Sequence, residues 1–240
     1  MHKLRVKFTK TGPIKFIGHL DVMRYFQKAI RRAEIDIKYS EGFSPHQVIS
    51  FAQPLSVGAT SEGEYMDMSV NSMESSKDIK NRLSSVCNEG IDILAVTELP
   101  ENEDKAMTLT YAAKYRVKIR ESLKPDFDWV SEFEKYLENK TLPAMKKTKS
   151  GEKEIDMKPM IFDCSFDHKG ESVVLLLSMS SMATLKPALL FEGFYKSKGL
   201  EFTSNALDLH RIDIYKKEED DKGEYIIPFI CDKNQEKIYL

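Results

Sequence analysis

Near the start of the chain, His19 and Asp21 lie in GHLD and His46 lies in GFSPHQ. Imidazole and carboxylate together are the donors a divalent metal takes, and also the pair a general base and its orienting acid require. Glu62 and Glu64 alternate on one strand face and would add carboxylates to such a site, or pair with nearby cations. A plainer reading is structural: Asp21 or His19 caps a helix, and His46 follows Pro45 in a turn. A second set of residues is cationic. Arg24, Lys28 and Arg31 stand at i, i+4 and i+7 and form one helical ridge, with Arg32 beside them. Arginine suits phosphate because its planar fork matches the oxygens. Arg5 on a neighbouring strand would extend that surface, and Phe43 in the turn would stack on unpaired bases. Lys146, Lys147 and Lys149 form a further basic segment in MKKTKSGEKE, which lacks the GxxxxGK[ST] frame of a phosphate-binding loop. It reads as a basic hairpin, either solvated or resting on an RNA backbone. The competing view of the ridge is a solvated face whose late cations suit the helix C-terminus.

Charge along the chain bears on that choice. The formal net charge is only -2. Residues 1–50 nevertheless hold ten Lys/Arg against four Asp/Glu, and residues 51–110 hold four against eleven. A near-neutral total therefore conceals a basic first segment. The three cysteines, Cys87, Cys164 and Cys231, are far apart and form no CxxC, so no disulfide framework or metal site is signalled. No run of 18 apolar residues occurs and the N-terminus MHKLRVKFTK is too charged for a secretory leader, so a cytoplasmic protein without membrane association is expected.

Periodicity supplies the elements that would position these residues. KLRVKFTK alternates with period 2 and predicts a strand. Residues 20–34 place Met23, Phe26, Ile30 and Ala33 at helical spacing. VISFAQPLSVG, EGEYMDMSV and IDILAVTEL read as extended segments, with a helix over SSKDIKNRLSSVC capped by Ser75 or Ser76. ENEDKAMT, residues 101–108, has the composition of a linker. The order then recurs: strand AAKYRVKIR, helix DFDWVSEFEKYLENK with Trp129 and Phe133 inward, strands KEIDMKPMIFDCSFD and ESVVLLLSM, helix TLKPALLFEGFYKS with Leu189 inward, and strand HRIDIYKKE. The expectation is an α+β protein of two tandem ferredoxin-like (βαββαβ) units with antiparallel sheets, over residues 1–104 and 105–240.

The run from Phe16 to Met68, with His19, Asp21, Arg24, Arg31, Arg32, Gly42, Phe43, His46, Phe51, Gly58, Glu62, Glu64 and Tyr65, resembles the radical-SAM-linked proteins. That family is a domain of unknown function found beside, or fused to, cobalamin-binding radical S-adenosylmethionine enzymes. KEIDMKPMI, Lys153 to Ile161, carries a second match. The resemblance implies a radical enzyme as partner and, by gene context, a link to ribonuclease and ribosomal-protein genes. The chain lacks the CxxxCxxC that holds such an enzyme's cluster, so it is expected to bind neither that cluster nor the cofactor itself. Three functions follow: an accessory protein presenting a structured RNA, transfer or ribosomal, to the radical enzyme; a docking subunit without RNA; or an RNA-processing enzyme using His19, Asp21 and His46.

Overall fold

The computed structural model describes residues 1–148, 151–180, 183–230 and 237–240. In chain order its elements begin with β1 (His2–Lys10), α1 (His19–Arg32), β2 (Ile49–Phe51), β3 (Thr60–Val70), α2 (Ser76–Val86) and β4 (Ile93–Leu99). A short helix α3 (Ala106–Leu109) leads into β5 (Thr110–Ile119) and α4 (Trp129–Leu137). β6 (Pro143–Thr148), β7 (Gly151–Asp156), β8 (Ile161–Asp167), β9 (Ser172–Ser178) and α5 (Pro187–Ser197) follow. β10 (Leu207–Asp220), β11 (Gly223–Pro228) and β12 (Ile238–Tyr239) complete the order. The fold is mixed α+β, with few helices and mostly antiparallel strand pairing. By compactness the chain divides into Met1–Thr110 with Asp213–Leu240, and Tyr111–Ile212. Residues 213–240, which the sequence assigned to the second half, thus belong with the first.

In the first unit β1 pairs antiparallel with β3 on one side and β4 on the other. β2 pairs antiparallel with β3 at Met66–Met68, so the strand order runs β4-β1-β3-β2. The residues that make α1 a helix are the ones that bury it: Val22, Phe26, Ala29 and Ile30 recur at turn spacing and lie inside. Val22, Phe26 and Ile30 meet Leu4, Val6 and Phe8 of β1 and Ile79 and Leu83 of α2 in one core. Met23, expected inside, is only half-buried, because Val22 takes the inward position one residue earlier. The end of α1 is a Schellman motif. Ile35 N–H donates to Ile30 O at 3.2 Å and Glu34 N–H to Arg31 O at 3.1 Å. Glu34 holds the left-handed position at φ 52° that glycine usually fills. α2 starts as expected, with Ser75 Oγ accepting from Asp78 N–H at 3.0 Å.

The opposite face of this sheet is covered. β1 presents Arg5 and Lys7 there, and β3 presents Asp67 and Tyr65 directly across from them. α3, β10 and the residues after β11 close over this face around Tyr65, Ala106, Ile214 and Phe229. The segment read as a bare linker therefore carries a helical turn whose Ala106 is buried.

In the second unit the strand order is β10-β5-β9-β8, with β5–β9 and β8–β9 antiparallel. α4 and α5 pack on one face through Phe133 and Phe191, stacked with centroids 4.5 Å apart, and Trp129 and Phe194 join them. α4 is capped by Asp128, which accepts from Ser131 N–H at 3.2 Å, and α5 begins at Pro187, whose missing N–H costs nothing there. Leu189, expected inside, is half-buried, while Leu190, Phe191 and Phe194 fill the core. The stretch KEIDMKPMIFDCSFD is not one strand. Its first part, β7, pairs with β6 in a separate hairpin, and a 3-10 turn over Lys158–Met160 containing Pro159 breaks it from β8. Cys87 and Cys164 are half-buried edges of the two cores, and burial pushes both thiols up; Cys231 lies outside the described residues.

Candidate nucleic-acid interface

The helix α1 presents two chemically distinct faces. Opposite its apolar stripe, Arg24, Lys28 and Arg31 are all exposed. Arg24 pairs with Asp21 one turn earlier at 3.2 Å; both are exposed, so the pair contributes little. Lys28 and Arg31 have no ion-pair partner among the described residues. Arg32 is turned aside, donating to Val86 O at the end of α2 at 3.1 Å.

The turn after α1 is tied back to the helix. Gln47, which is buried, donates its amide to Gln27 O in the middle of α1 at 3.2 Å. Ser40 and His46 close the turn: the two side chains meet at 2.8 Å, His46 N–H donates to Ser40 Oγ at 3.1 Å, and Ser40 N–H donates to His46 O at 2.8 Å. Gly42, at φ +105°, bends the chain where an L side chain would be strained. Phe43 stands at the tip, fully exposed, and Tyr39 at the base is also exposed. A fixed turn with an uncovered aromatic ring, tied to a cationic helix, is a surface able to meet phosphates and a planar base.

Of the other cations, Arg5, Lys7 and Lys146 are engaged within the fold. Arg5 is 1% exposed. Its guanidinium is bidentate to Asp67, at 2.8 and 3.0 Å, donates to Asp104 O at 3.1 Å, and lies 4.6 Å from the centroid of Phe229. It has no route to a phosphate. Lys7 pairs with Asp213 at 2.7 Å, and Tyr65 donates its phenol to the same carboxylate at 2.5 Å. Burial pushes Asp213 above its ordinary value, and Lys7 and Tyr65 draw it partly back. Lys146 donates to Thr184 O at 2.8 Å. Lys147 sits on β6 opposite Glu152, and Lys149 lies outside the described residues.

His19, Asp21 and His46 do not converge. Gly18, without a side-chain cap, is the N-cap of α1, so neither His19 nor Asp21 fills that role. His19 packs edge-on against Phe51, with ring centroids 5.4 Å apart, and borders a cavity of about 20 Å³, room for about one water, with Lys10, Gln53 and Glu64. Lys10 is itself buried and donates to Ile17 O at 2.9 Å, tying down the turn before α1. Asp21 faces Arg24 at the surface, Glu62 is exposed, and His46 is held by Ser40. Neither Asp21 nor His46 borders the cavity. Among the described residues no three His, Cys, Asp or Glu side chains are grouped to hold a metal ion. What the sequence reading missed was Gln47, whose polar type in an exposed-looking turn gave no sign of its bond to α1.

The family described as "Uncharacterized protein conserved in bacteria (DUF2344)" matches residues 3–187. No curated protein matches the chain. No helix is long and apolar enough to cross a membrane among the described residues.

Proposed function

We propose an RNA-binding accessory role for this chain, which belongs to the DUF2344 family of uncharacterized bacterial proteins. The observation that carries it is the exposed ridge of Arg24, Lys28 and Arg31 on a helix to which the Phe43-tipped turn is also tethered. The ridge supplies point charges at the spacing of successive helical turns, and the ring supplies a stacking platform for an unpaired base. The RNA is presented to a radical S-adenosylmethionine enzyme; this partner follows from the resemblance of residues 16–68. The fold that accompanies this reading is a pair of ferredoxin-like units. It is supported by the β4-β1-β3-β2 order of the first unit and the β10-β5-β9-β8 order of the second, where the hairpin β6–β7 is an insertion.

A salt titration against structured host RNA tests the role. Changing Arg24, Lys28 and Arg31 together to Ala should weaken binding at least tenfold at low salt. The log–log salt slope should flatten by about 0.7 for each single-strand phosphate that the variant no longer neutralises. Phe43→Ala should weaken unpaired RNA by roughly 1–3 kcal/mol and leave duplex binding unchanged. Equal affinity and slope for wild type and the triple variant would remove the proposal.

A second reading, a protein-docking subunit without RNA, is favoured by Phe16, Leu20 and Val57, which are 65%, 59% and 62% exposed. On that reading Phe16→Ser with Leu20→Ser would abolish capture of the radical enzyme, and the wild-type chain would show no salt-dependent RNA binding.

A further inference from the structure

The second unit contains a hollow of about 790 Å³, within the size range of small-molecule sites. α4 contributes Glu132, Lys135, Tyr136 and Asn139, which share one helical face. α5 contributes Gly193 and Lys196, and β6 closes the third side with Pro143, Ala144 and Met145. The two helices are locked together by Phe133, Phe191 and Phe194, so the hollow has firm walls.

Three features define what it would take. Tyr136 is only 9% exposed, and its phenol has no hydrogen-bond partner among the described residues. The phenol oxygen is reachable from the hollow, so an acceptor atom on a ligand bound there could take its hydrogen bond in place of water. Burial raises this phenol above its ordinary value, which keeps it a donor. Gly193 makes the arrangement possible: a Cβ there would lie 2.6 Å from Tyr136 Oη and 3.0 Å from Met157 Cε. Charge on the helical wall is unbalanced. Glu132 holds Lys135 at 2.7 Å and also binds Lys198, whereas Lys196 has no ion-pair partner among the described residues. The wall therefore carries three cations against one carboxylate, with Glu154 across the hollow on β7. The ring of Tyr136 with Pro143, Ala144 and Met145 supplies apolar contact.

We propose that this hollow binds a small amphipathic anion, one with an apolar body, a single acidic group directed to Lys196, and an acceptor atom for Tyr136. The site is independent of the RNA surface on α1.

The test is a fluorescence titration of the full chain with 1-anilinonaphthalene-8-sulfonate, which combines a planar apolar body with one anion. N-phenyl-1-naphthylamine, the same body without the anion, is the comparison. Lys196→Glu reverses the free charge, and Thr141→Trp places a bulky side chain at an exposed position on the rim. Phe16→Ser is the control for apolar exposure elsewhere. Wild type should bind one sulfonate probe, and bind the uncharged analogue at least tenfold more weakly. Lys196→Glu and Thr141→Trp should each lose at least tenfold in affinity with an unchanged thermal midpoint, while Phe16→Ser behaves as wild type. Absence of probe binding, equal binding by Lys196→Glu and wild type, equal affinity for the uncharged analogue, or loss of binding in Phe16→Ser overturns the proposal.

Discussion

Lys7 and Asp213 are separated by 206 residues in sequence, yet form a pair at 2.7 Å with side chains only 16% and 6% exposed. Removing one member of such a pair leaves a buried charge, whereas replacing both with apolar groups avoids the desolvation cost. Asp213→Ala should therefore destabilise the protein by about 3 kcal/mol or more, and Lys7→Met with Asp213→Leu should recover most of that loss. Urea denaturation of the three proteins measures it; additive losses in the double variant would deny the pairing its role. The same geometry explains why the basic strand was misread. Alternation correctly puts Arg5 and Lys7 on the face away from Leu4, Val6 and Phe8. Their covering groups, Asp104, Asp213 and Phe229, lie far along the chain, so no local window could show that this face is enclosed. For Arg24, Lys28 and Arg31 the helical period alone decided exposure, and the local reading holds. His19 and His46 take separate partners, Phe51 and Ser40, which their positions in the sequence did not indicate.

At the scale of elements, α1 was legible because its apolar residues repeat at turn spacing, whereas its end depends on backbone geometry. Glu34 occupies a left-handed conformation that disfavours a side chain, and its carboxylate sits at the negative end of the helix dipole. Its own side chain is exposed, while its carbonyl accepts from Arg82. Glu34→Gly should thus keep the Schellman bonds and raise stability by about 0.5–1 kcal/mol, the gain being reduced by the greater freedom of glycine in the unfolded chain. A lower urea midpoint for the variant would show that Glu34 has a stabilising contact outweighing strain. The two faces of α1 should also separate in experiment. Phe26→Ala, at 0% exposure, should cost about 3–5 kcal/mol, whereas Arg31→Ala should stay within about 0.5 kcal/mol. The hairpin β6–β7 was less legible: its inner residues Ala144 and Ile155 are only partly buried, so the alternation is weak. Pro159 was the available sign that β7 and β8 are distinct, since it cannot donate within a ladder.

Across the whole molecule the order of helices and strands was readable, because each element carries its own period. The return of residues 213–240 to the first unit was not, because it depends on pairing between distant segments. Acid stability is likewise a property of the whole chain. Asp36 is held below its ordinary value of 3.8 by the Asn71 and Ser72 side chains, and Asp128 by the Ser131 hydroxyl and N–H. Backbone N–H groups of Leu142 and Lys158 do the same for Asp156, and Lys237 for Asp220. A carboxyl lowered in the folded state contributes stability that is present above its unfolded value and lost as pH falls through its folded value. Asp213, raised by burial, acts in the opposite sense: its contribution is present below its unfolded value and lost as pH rises through the folded one. The lowered groups outnumber it, so the urea midpoint should fall as pH drops from about 5 towards 2. Asp156→Asn isolates one of them. Asp156 accepts from Leu142 N–H at 2.7 Å and Lys158 N–H at 3.0 Å, fastening the chain where it enters and leaves the open end of the β6–β7 hairpin. The variant should be less stable than wild type at pH 7, and the gap should narrow as pH falls and wild-type Asp156 takes up its proton. A gap of constant size from pH 7 to pH 2 would mean that the charge on Asp156 does not hold the hairpin.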